Sequence, residues 1–281
     1  MKKNFLILFF AVLMAADSFA QVSDIGLFLG FSKYKGELSN SLFTPYFLRP
    51  AFGAYYRYNT NRHWAFRIQA TIGSVEGDDS QSKYDWEVNR NLSFHSEIQE
   101  VAGTFEFNFL TFELGNYNYA FTPFMYWGLS VFHFNPKAEY KGQEYDLRDL
   151  CTEGQETYEH PERKKYSLLS AAMPFGGGFK FNGEDVGFTI EIGARRAWTD
   201  YLDDVSTTYP DKHIELIGHG PVAAAMSDRS LGENPAVFPG KQRGNENNPD
   251  WYMFGGVTAF ISIGGKFKYS CRPFHPHRIS Y

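Results

Sequence analysis

The sequence predicts an all-β fold: an eight-stranded antiparallel transmembrane β-barrel with long loops on one side. Three observations carry the prediction. The run His63 to Gly73 separates Trp64, Phe66, Ile68, Ala70 and Ile72 from Ala65, Arg67, Gln69, Thr71 and Gly73. Successive strand residues point to opposite faces, so this is a strand with one apolar and one polar face, and it has the roughly 9–11 residues a tilted strand needs to cross a bilayer. Similar segments recur along the chain, joined by connections that alternate short and long, as in bacterial barrels with short periplasmic turns and longer external loops. The chain also opens as an exported protein does.

Lys2 and Lys3 supply a positive start, Phe5 to Ala16 an apolar stretch, and Ser18 and Ala20 the small residues of a cleavage site, so residues 1–20 read as a signal peptide with cleavage before Gln21. The apolar stretch is short for a membrane helix, and no second one follows. No cysteine stands at the cleavage point, so a lipoprotein anchor is not expected. Residues 21–270 read as the barrel and 271–281 as a periplasmic tail, which places both termini in the periplasm.

Removing Lys2, Lys3 and Asp17 from the 27 basic and 32 acidic residues leaves a net charge of −6, so no basic surface for nucleic acid is implied. Aromatic residues make up 18% of the chain, with 28 Phe and 18 Tyr, and Gly is plentiful. Aromatics suit strands and membrane interfaces, and Gly suits tight barrel interiors. Mean hydropathy is −0.38, which excludes a helical membrane protein. It permits a barrel, in which only alternate strand residues face lipid.

Eight strands are predicted: Asp24–Lys33, Ala51–Asn59, His63–Gly73, Val101–Leu110, Phe121–Phe134, Met173–Asn182, Val186–Ala197 and Trp251–Lys268. In the fourth, Phe105, Phe107 and Phe109 oppose Thr104, Glu106 and Asn108. In the seventh, Phe188, Ile190, Ile192 and Ala194 alternate with Thr189, Glu191, Gly193 and Arg195. In the last, Val257, Ala259, Ile261 and Ile263 alternate with Thr258, Phe260, Ser262 and Gly264. Short connections follow the second strand (Thr-Asn-Arg) and the sixth (Gly-Glu-Asp), with a modest one at Thr111–Ala120. The long ones are Tyr34–Pro50, Ser74–Glu100, Asn135–Ala172 and Trp198–Asp250.

Arg67, Glu106, Glu191 and Arg195 are costly to bury alone, so they are expected to form a polar network inside the barrel. Alternation by itself also fits a soluble barrel or sandwich with the apolar face inward. Tyr55, Tyr56, Tyr58, Trp64, Tyr126, Trp127 and Trp251 near strand ends favour the membrane reading, as interfacial girdles do.

Other constellations are weaker. Asp200, Asp203 and Asp204 lie in the acidic run Thr199–Thr207. Calcium takes several carboxylate oxygens, but the spacing is not that of an EF-hand, and the run reads as a rim network pairing with Arg195 and Arg196. Thr152–Arg163 carries several Glu and His160 in a set too loose for zinc, and reads as a solvated acidic loop. Ser130 and His133 are three apart on one strand and so face opposite ways. His213, His219, Ser227 and Asp228 form no recognisable nucleophile motif. No enzyme activity and no cofactor are expected. The barrel topology puts Cys151 in an external loop and Cys271 in the tail, on opposite sides of a hydrocarbon core roughly 25–30 Å thick. A disulfide needs Cα atoms within about 7 Å. Each cysteine is then a free thiol or a bridge to a partner, with Cys271 the better placed for a bridge.

The segments A-F-G-A-Y-Y-R-Y-N (Ala51–Asn59), G-D-D-S (Gly77–Ser80), N-L-S-F-H-S (Asn91–Ser96), F-T-P-F-M-Y-W-G-L-S-V-F-H-F-N-P (Phe121–Pro136), T-E-G-Q (Thr152–Gln155), P-F-G-G-G-F-K (Pro174–Lys180) and T-D-Y-L-D-D-V-S (Thr199–Ser206) resemble, in order along the chain, the PorG-like outer-membrane barrels of the type IX secretion and gliding-motility system. The resemblance implies a small non-enzymatic barrel without a cofactor. It also implies association with the periplasmic ring built from a lipoprotein (PorK or GldK) and its partner (PorN or GldN). That ring would meet the short turns, the Thr111–Ala120 connection or the tail, unless the long connections face inward. A barrel this small has a lumen filled by side chains and is not itself an export pore. The alternatives are a lipid-modifying barrel and an adhesin-like surface barrel with no secretion role.

Overall fold

The computed structural model describes residues 22–39, 47–116, 118–231 and 239–263. The predicted signal peptide, the tail with Cys271 and the end of the predicted last strand lie outside these residues. The described strands are β1 (Val22–Lys35), β2 (Arg49–Asn59), β3 (Trp64–Asp78), β4 (Ser93–Asn108), β5 (Phe121–Tyr140), β6 (Gln143–Asp146), β7 (Leu169–Phe181), β8 (Val186–Ala197) and β9 (Trp251–Ser262). Short helices α1 (Asp85–Arg90), α2 (Leu147–Leu150), α3 (Lys212–His219) and α4 (Pro221–Ser227) lie in the connections.

Every pairing is antiparallel. The order β4-β3-β2-β1-β9-β8-β7-β5 returns on itself through β4–β5, so eight strands close a barrel and β6 extends only the far end of β5. Closure leaves the eight barrel strands without an unpaired edge, which is what allows strands to stand in lipid. The alternation falls as predicted. Leu27, Ile68, Phe105, Leu129, Ile190 and Val257 face outward and are exposed, while Arg67, Thr104, Glu106, Thr189, Glu191 and Thr258 face inward and are buried. An exposed apolar belt around a polar interior makes this a transmembrane barrel rather than its soluble inverse. Trp64 packs beside Phe107 at 4.8 Å and edge-on to Trp127 at 6.0 Å on the outer face. No helix among the described residues is long and apolar enough to cross a membrane.

The strands run further than predicted at one end. β3 continues to Asp78, β4 starts at Ser93 and β5 reaches Tyr140. Two of the long connections, Ser74–Glu100 and Asn135–Ala172, are therefore partly strand. In these extensions Val75, Phe94 and Ala138 face inward and Glu76, His95 and Lys137 face outward, an outer face that is polar because it stands above the lipid. That swap hid the strands in the sequence, and β6 was hidden with them.

All four long connections gather at this end and pack into a cap. Leu38, Val75, Leu92, Phe94, Ile98, Phe134, Leu147, Tyr166, Leu202, Val205, Met226 and Phe254 form its continuous apolar core. The opposite end carries tight turns. Asn61 Oδ1 accepts the amide hydrogens of His63 and Trp64 at 2.8 and 2.9 Å, an Asx turn that reverses the chain between β2 and β3.

Candidate functional site

The lumen is the first candidate. Four cations and four carboxylates project into it from β1, β2, β3, β4, β7 and β8, all almost fully buried: Arg57, Arg67, Lys180 and Arg195 against Asp24, Glu100, Glu106 and Glu191. Arg57 meets Asp24 at 2.9 Å and Glu106 at 3.5 Å. Arg67 meets Glu191 at 2.7 Å. Arg67 Nε and Glu106 Oε1 lie 3.0 Å apart as an ion pair, without the angle of a hydrogen bond. Lys180 Nζ donates to Glu106 Oε2 at 2.5 Å. Glu106 thus stands among three cations, and the cluster is electrically balanced.

Aromatic faces complete the packing. The Arg57 guanidinium lies 4.4 Å from the Phe260 ring centroid, and that of Arg67 lies 4.8 Å from Tyr126, positions in which a ring face attracts a cation. The glycines of Pro174–Lys180 make room for this. Gly176 pairs with Gly193 across β7 and β8, and a Cβ on Gly193 would stand 1.9 Å from the Tyr126 hydroxyl. The turn-side mouth is filled as well. Phe112 and Leu114, from the connection after β4, pack with Tyr55 and Phe260. Asn182 Nδ2 holds that connection by donating to the carbonyls of Glu113 and Asn116 at 2.9 and 2.7 Å.

Three of the four predicted lumen residues, Arg67, Glu106 and Glu191, form one cluster. Arg195 does not join it. It pairs with Glu100 at 3.4 Å, and Glu100 also accepts from the Tyr252 hydroxyl at 2.7 Å. Arg57, Asp24, Lys180 and Glu100 were missed. The inward positions of strands one, two and six carried the signal for the first three, while Glu100 lay in a stretch read as loop.

The cap is the second candidate, and here the predicted pairing is corrected. Asp204 turns away from Arg195 and Arg196. It accepts from the Tyr166 hydroxyl at 2.8 Å and from the Thr152 hydroxyl, and meets Arg243 at 3.6 Å. Asp203 accepts from the Tyr34 hydroxyl at 2.6 Å and from the Val205 amide at 2.9 Å. The reason is topological: Arg195 belongs to the inward face of β8, whereas Asp203 and Asp204 lie in the cap. The start of Thr152–Arg163 is not solvated either. Thr152, Glu153 and Gln155 are buried. Glu153 accepts from the Ser206 amide at 2.8 Å and the Thr207 hydroxyl at 2.6 Å, and pairs with Arg243 at 3.1 Å. Two separate sequence motifs, Thr152–Gln155 and Thr199–Ser206, are thereby joined. Burial raises the carboxyls of Asp200 to about 8, Glu37 to about 7 and Asp204 to about 6.

Cys151 is a free thiol enclosed by the cap, and burial pushes its pKa up to about 11. Ser130 and His133 do face opposite sides of β5. Ser227 Oγ donates to the Ala224 carbonyl, and His219 Nδ1 lies 2.9 Å from Glu215, so neither is arranged as a nucleophile and its base. An open cleft of about 880 Å³ lies between the cap helices and the β3–β5 extensions, lined by Tyr140, Lys141, Lys212, His213 and Arg229 among others.

Fold and lumen together define a small membrane-spanning β-barrel with a charge-filled interior. The family described as a domain of unknown function, DUF6089, matches residues 2–222, and the chain belongs to that family. Comparison with curated proteins gives no match. Among solved structures the chain is similar to neisserial surface protein A, with 7% identity over 85% of this chain and 96% of that one and a TM-score of 0.41. It is also similar to Ail, the attachment invasion locus protein of Yersinia pestis, crystallised with the heparin analogue sucrose octasulfate (11% identity, 86% and 100% covered, TM-score 0.37). A third is outer membrane protein OprG from Pseudomonas aeruginosa (11% identity, 86% and 97% covered, TM-score 0.37).

Proposed function

We propose that this protein is a non-enzymatic, non-conducting outer-membrane anchor that supports the periplasmic ring of a type IX secretion system through its turn-side face. The observation that carries the reading is the sealed lumen. A lumen filled by four buried cations and four buried carboxylates in balance, with Phe112 and Leu114 below them and the cap above, suits a fixed support and not a passage for cargo. The resemblance to PorG-like barrels supplies the partner class, a PorK- or GldK-like lipoprotein with its PorN- or GldN-like companion. With the long connections outside, the ring would meet the turns and the Glu113–Asn116 segment, which Asn182 holds in place. The tail thiol Cys271 is the better candidate for a covalent bridge, because Cys151 is enclosed.

Affinity capture after mild crosslinking in cells tests this. Recovery of the ring lipoprotein is the expected result, and its repeated absence overturns the anchoring role. A second reading, an adhesin-like surface barrel, is favoured by the open cap cleft, lined by Lys141, Lys212 and Arg229 together with Asp78, Glu139 and Asp228. It predicts binding of a surface ligand and no periplasmic partner.

A further inference from the structure

Three carboxylates, Glu37, Asp203 and Asp250, meet where the cap joins the barrel, and Asp200 stands near them. Glu37 follows the end of β1, Asp200 and Asp203 open the long connection after β8, and Asp250 closes it before β9. One oxygen each from Glu37, Asp203 and Asp250 lies within 4.8 Å of the others. Asp203 and Asp250 are 1% and 0% exposed.

A count of donors gives an independent reason to place a ligand there. The Tyr34 hydroxyl lies 2.6 Å from Asp203 Oδ2 and 2.9 Å from Asp250 Oδ1. A hydroxyl has one hydrogen to donate, so one of these two fully buried oxygens has no donor. The second oxygens of both residues are already used, by the amides of Val205 and Leu202 at 2.9 Å each. Glu37 Oε2 is also shielded from water and accepts no hydrogen bond. Arg90 is the cation whose field reaches Asp203 and Glu37. Its guanidinium is spent elsewhere, on both oxygens of Asp79 at 2.7 Å and on the carbonyls of Glu37 and Arg243 at 3.0 and 3.1 Å. The backbone is shaped around the cluster too: a Cβ on Gly36 would stand 2.2 Å from Asp250 Oδ1.

Buried carboxylate oxygens without donors are costly unless a cation meets them. An all-oxygen donor set without His or Cys suits a hard cation. Calcium binds oxygens at about 2.3–2.6 Å, so two of its ligands stand at most about 5 Å apart, whereas magnesium demands a tighter octahedron and keeps its waters. We propose that Glu37, Asp203 and Asp250, with Asp200 beside them, bind a calcium ion that clips both ends of the long connection to the end of β1. Such a clip closes a loop of about fifty residues, and its effect on order is expected in the cap and not in the lumen.

The test uses the full mature chain in detergent micelles free of lipopolysaccharide, titrated with calcium chloride at neutral pH by calorimetry. Hydrogen exchange of residues 198–250 is followed in parallel, with and without chelator. One calcium per chain is expected, with a dissociation constant of about 10⁻⁴–10⁻³ M or tighter, the range of extracellular modules. Asp203→Asn and Asp250→Asn are expected to weaken binding at least about tenfold, as loss of one charged ligand does. Glu37→Gln alters a less enclosed residue and keeps the test informative if the buried variants do not fold. It should weaken binding while the folded band on semi-native gels is retained. No binding at calcium on the order of 10 mM, well above the weakest such sites, overturns the proposal. So does affinity unchanged by Glu37→Gln, or a preference for magnesium. A cap that responds to pH but not to calcium would mean that the carboxylates share protons instead, and also overturns it.

Discussion

In the spanning half of the barrel, Arg67 and Glu106 face inward and Ile68 and Phe105 face out. Along the same strands, above the lipid, Val75 and Phe94 face inward and Glu76 and His95 face out. The pleat is continuous and the alternation never slips, so the geometry is the same in both halves. The surroundings differ. Lipid cannot solvate charge, so the spanning half turns its ionic groups inward and balances them there. Water can, so the cap buries Leu92, Phe134 and Val205 as any soluble domain would. The two halves are held by opposite kinds of core, one ionic and one apolar with a few buried ion pairs, and they should fail in different ways.

Removing Glu106 tests the ionic core and carries the largest expected effect. Glu106→Ala leaves Arg57, Arg67 and Lys180 without their shared counter-charge. Breaking a buried pair by deleting one partner costs about 3–5 kcal/mol, read as a lower denaturation midpoint of the whole barrel in micelles. Arg243→Ala is the matching deletion in the cap, where it strips Glu153 and Asp204 of their cation. It should raise proteolysis and hydrogen exchange in residues 198–250 while the barrel midpoint holds. If the cap variant lowers the barrel midpoint as far as Glu106→Ala does, the two cores are one cooperative unit and the distinction fails.

Charge on the lipid face comes next. Ile190→Arg, near the middle of β8, should cost about 2–4 kcal/mol if the residue sits near the midplane of the bilayer. The same unfolding measurement, made on protein in bilayers, checks it. A neutral outcome would mean that Ile190 faces water or another protein.

The cap also carries a pH dependence that sharpens the contrast. Burial raises the Glu215 carboxyl to about 8 and the Asp204 carboxyl to about 6. A carboxyl whose folded pKa is raised binds its proton more tightly when folded. Its contribution is therefore fully present below the unfolded value near 4 and is lost as pH rises through the folded value. Cap protection against hydrogen exchange, measured without divalent cations, should fall between pH 5 and 9 (about the span of the two raised values). Glu215→Gln should flatten the fall at its alkaline end. Protection that increases with pH would contradict the assignment of buried, proton-holding acids. The smallest effect is expected from Arg49→Ala, which removes a half-exposed pair with Glu76. Such surface pairs contribute no more than about 1 kcal/mol, and its unfolding midpoint should barely move.

The same contrast explains what could be read without coordinates. Trp64 to Gly73 and Val186 to Ala197 were legible because lipid imposes strict alternation on every residue there. The charged lumen followed from those strands, since Arg67, Glu106 and Glu191 stood on the faces that had to point inward. The extensions Ser74–Asp78 and Ser93–Glu100 were not legible, because their outer positions are polar and the pattern no longer marks a membrane strand. The cap network was beyond reach for another reason. Glu153 finds Arg243 and Ser206, and Tyr34 finds Asp203 and Asp250, through contacts that join distant parts of the chain and leave no local period. Single acidic residues in polar runs look solvated until the fold encloses them.

Conductance in planar bilayers is the most direct test of the sealed, ion-filled lumen, made on the purified mature chain. The account predicts a barrel that inserts and stays electrically silent. Large, stable conductance steps from the intact protein would contradict it.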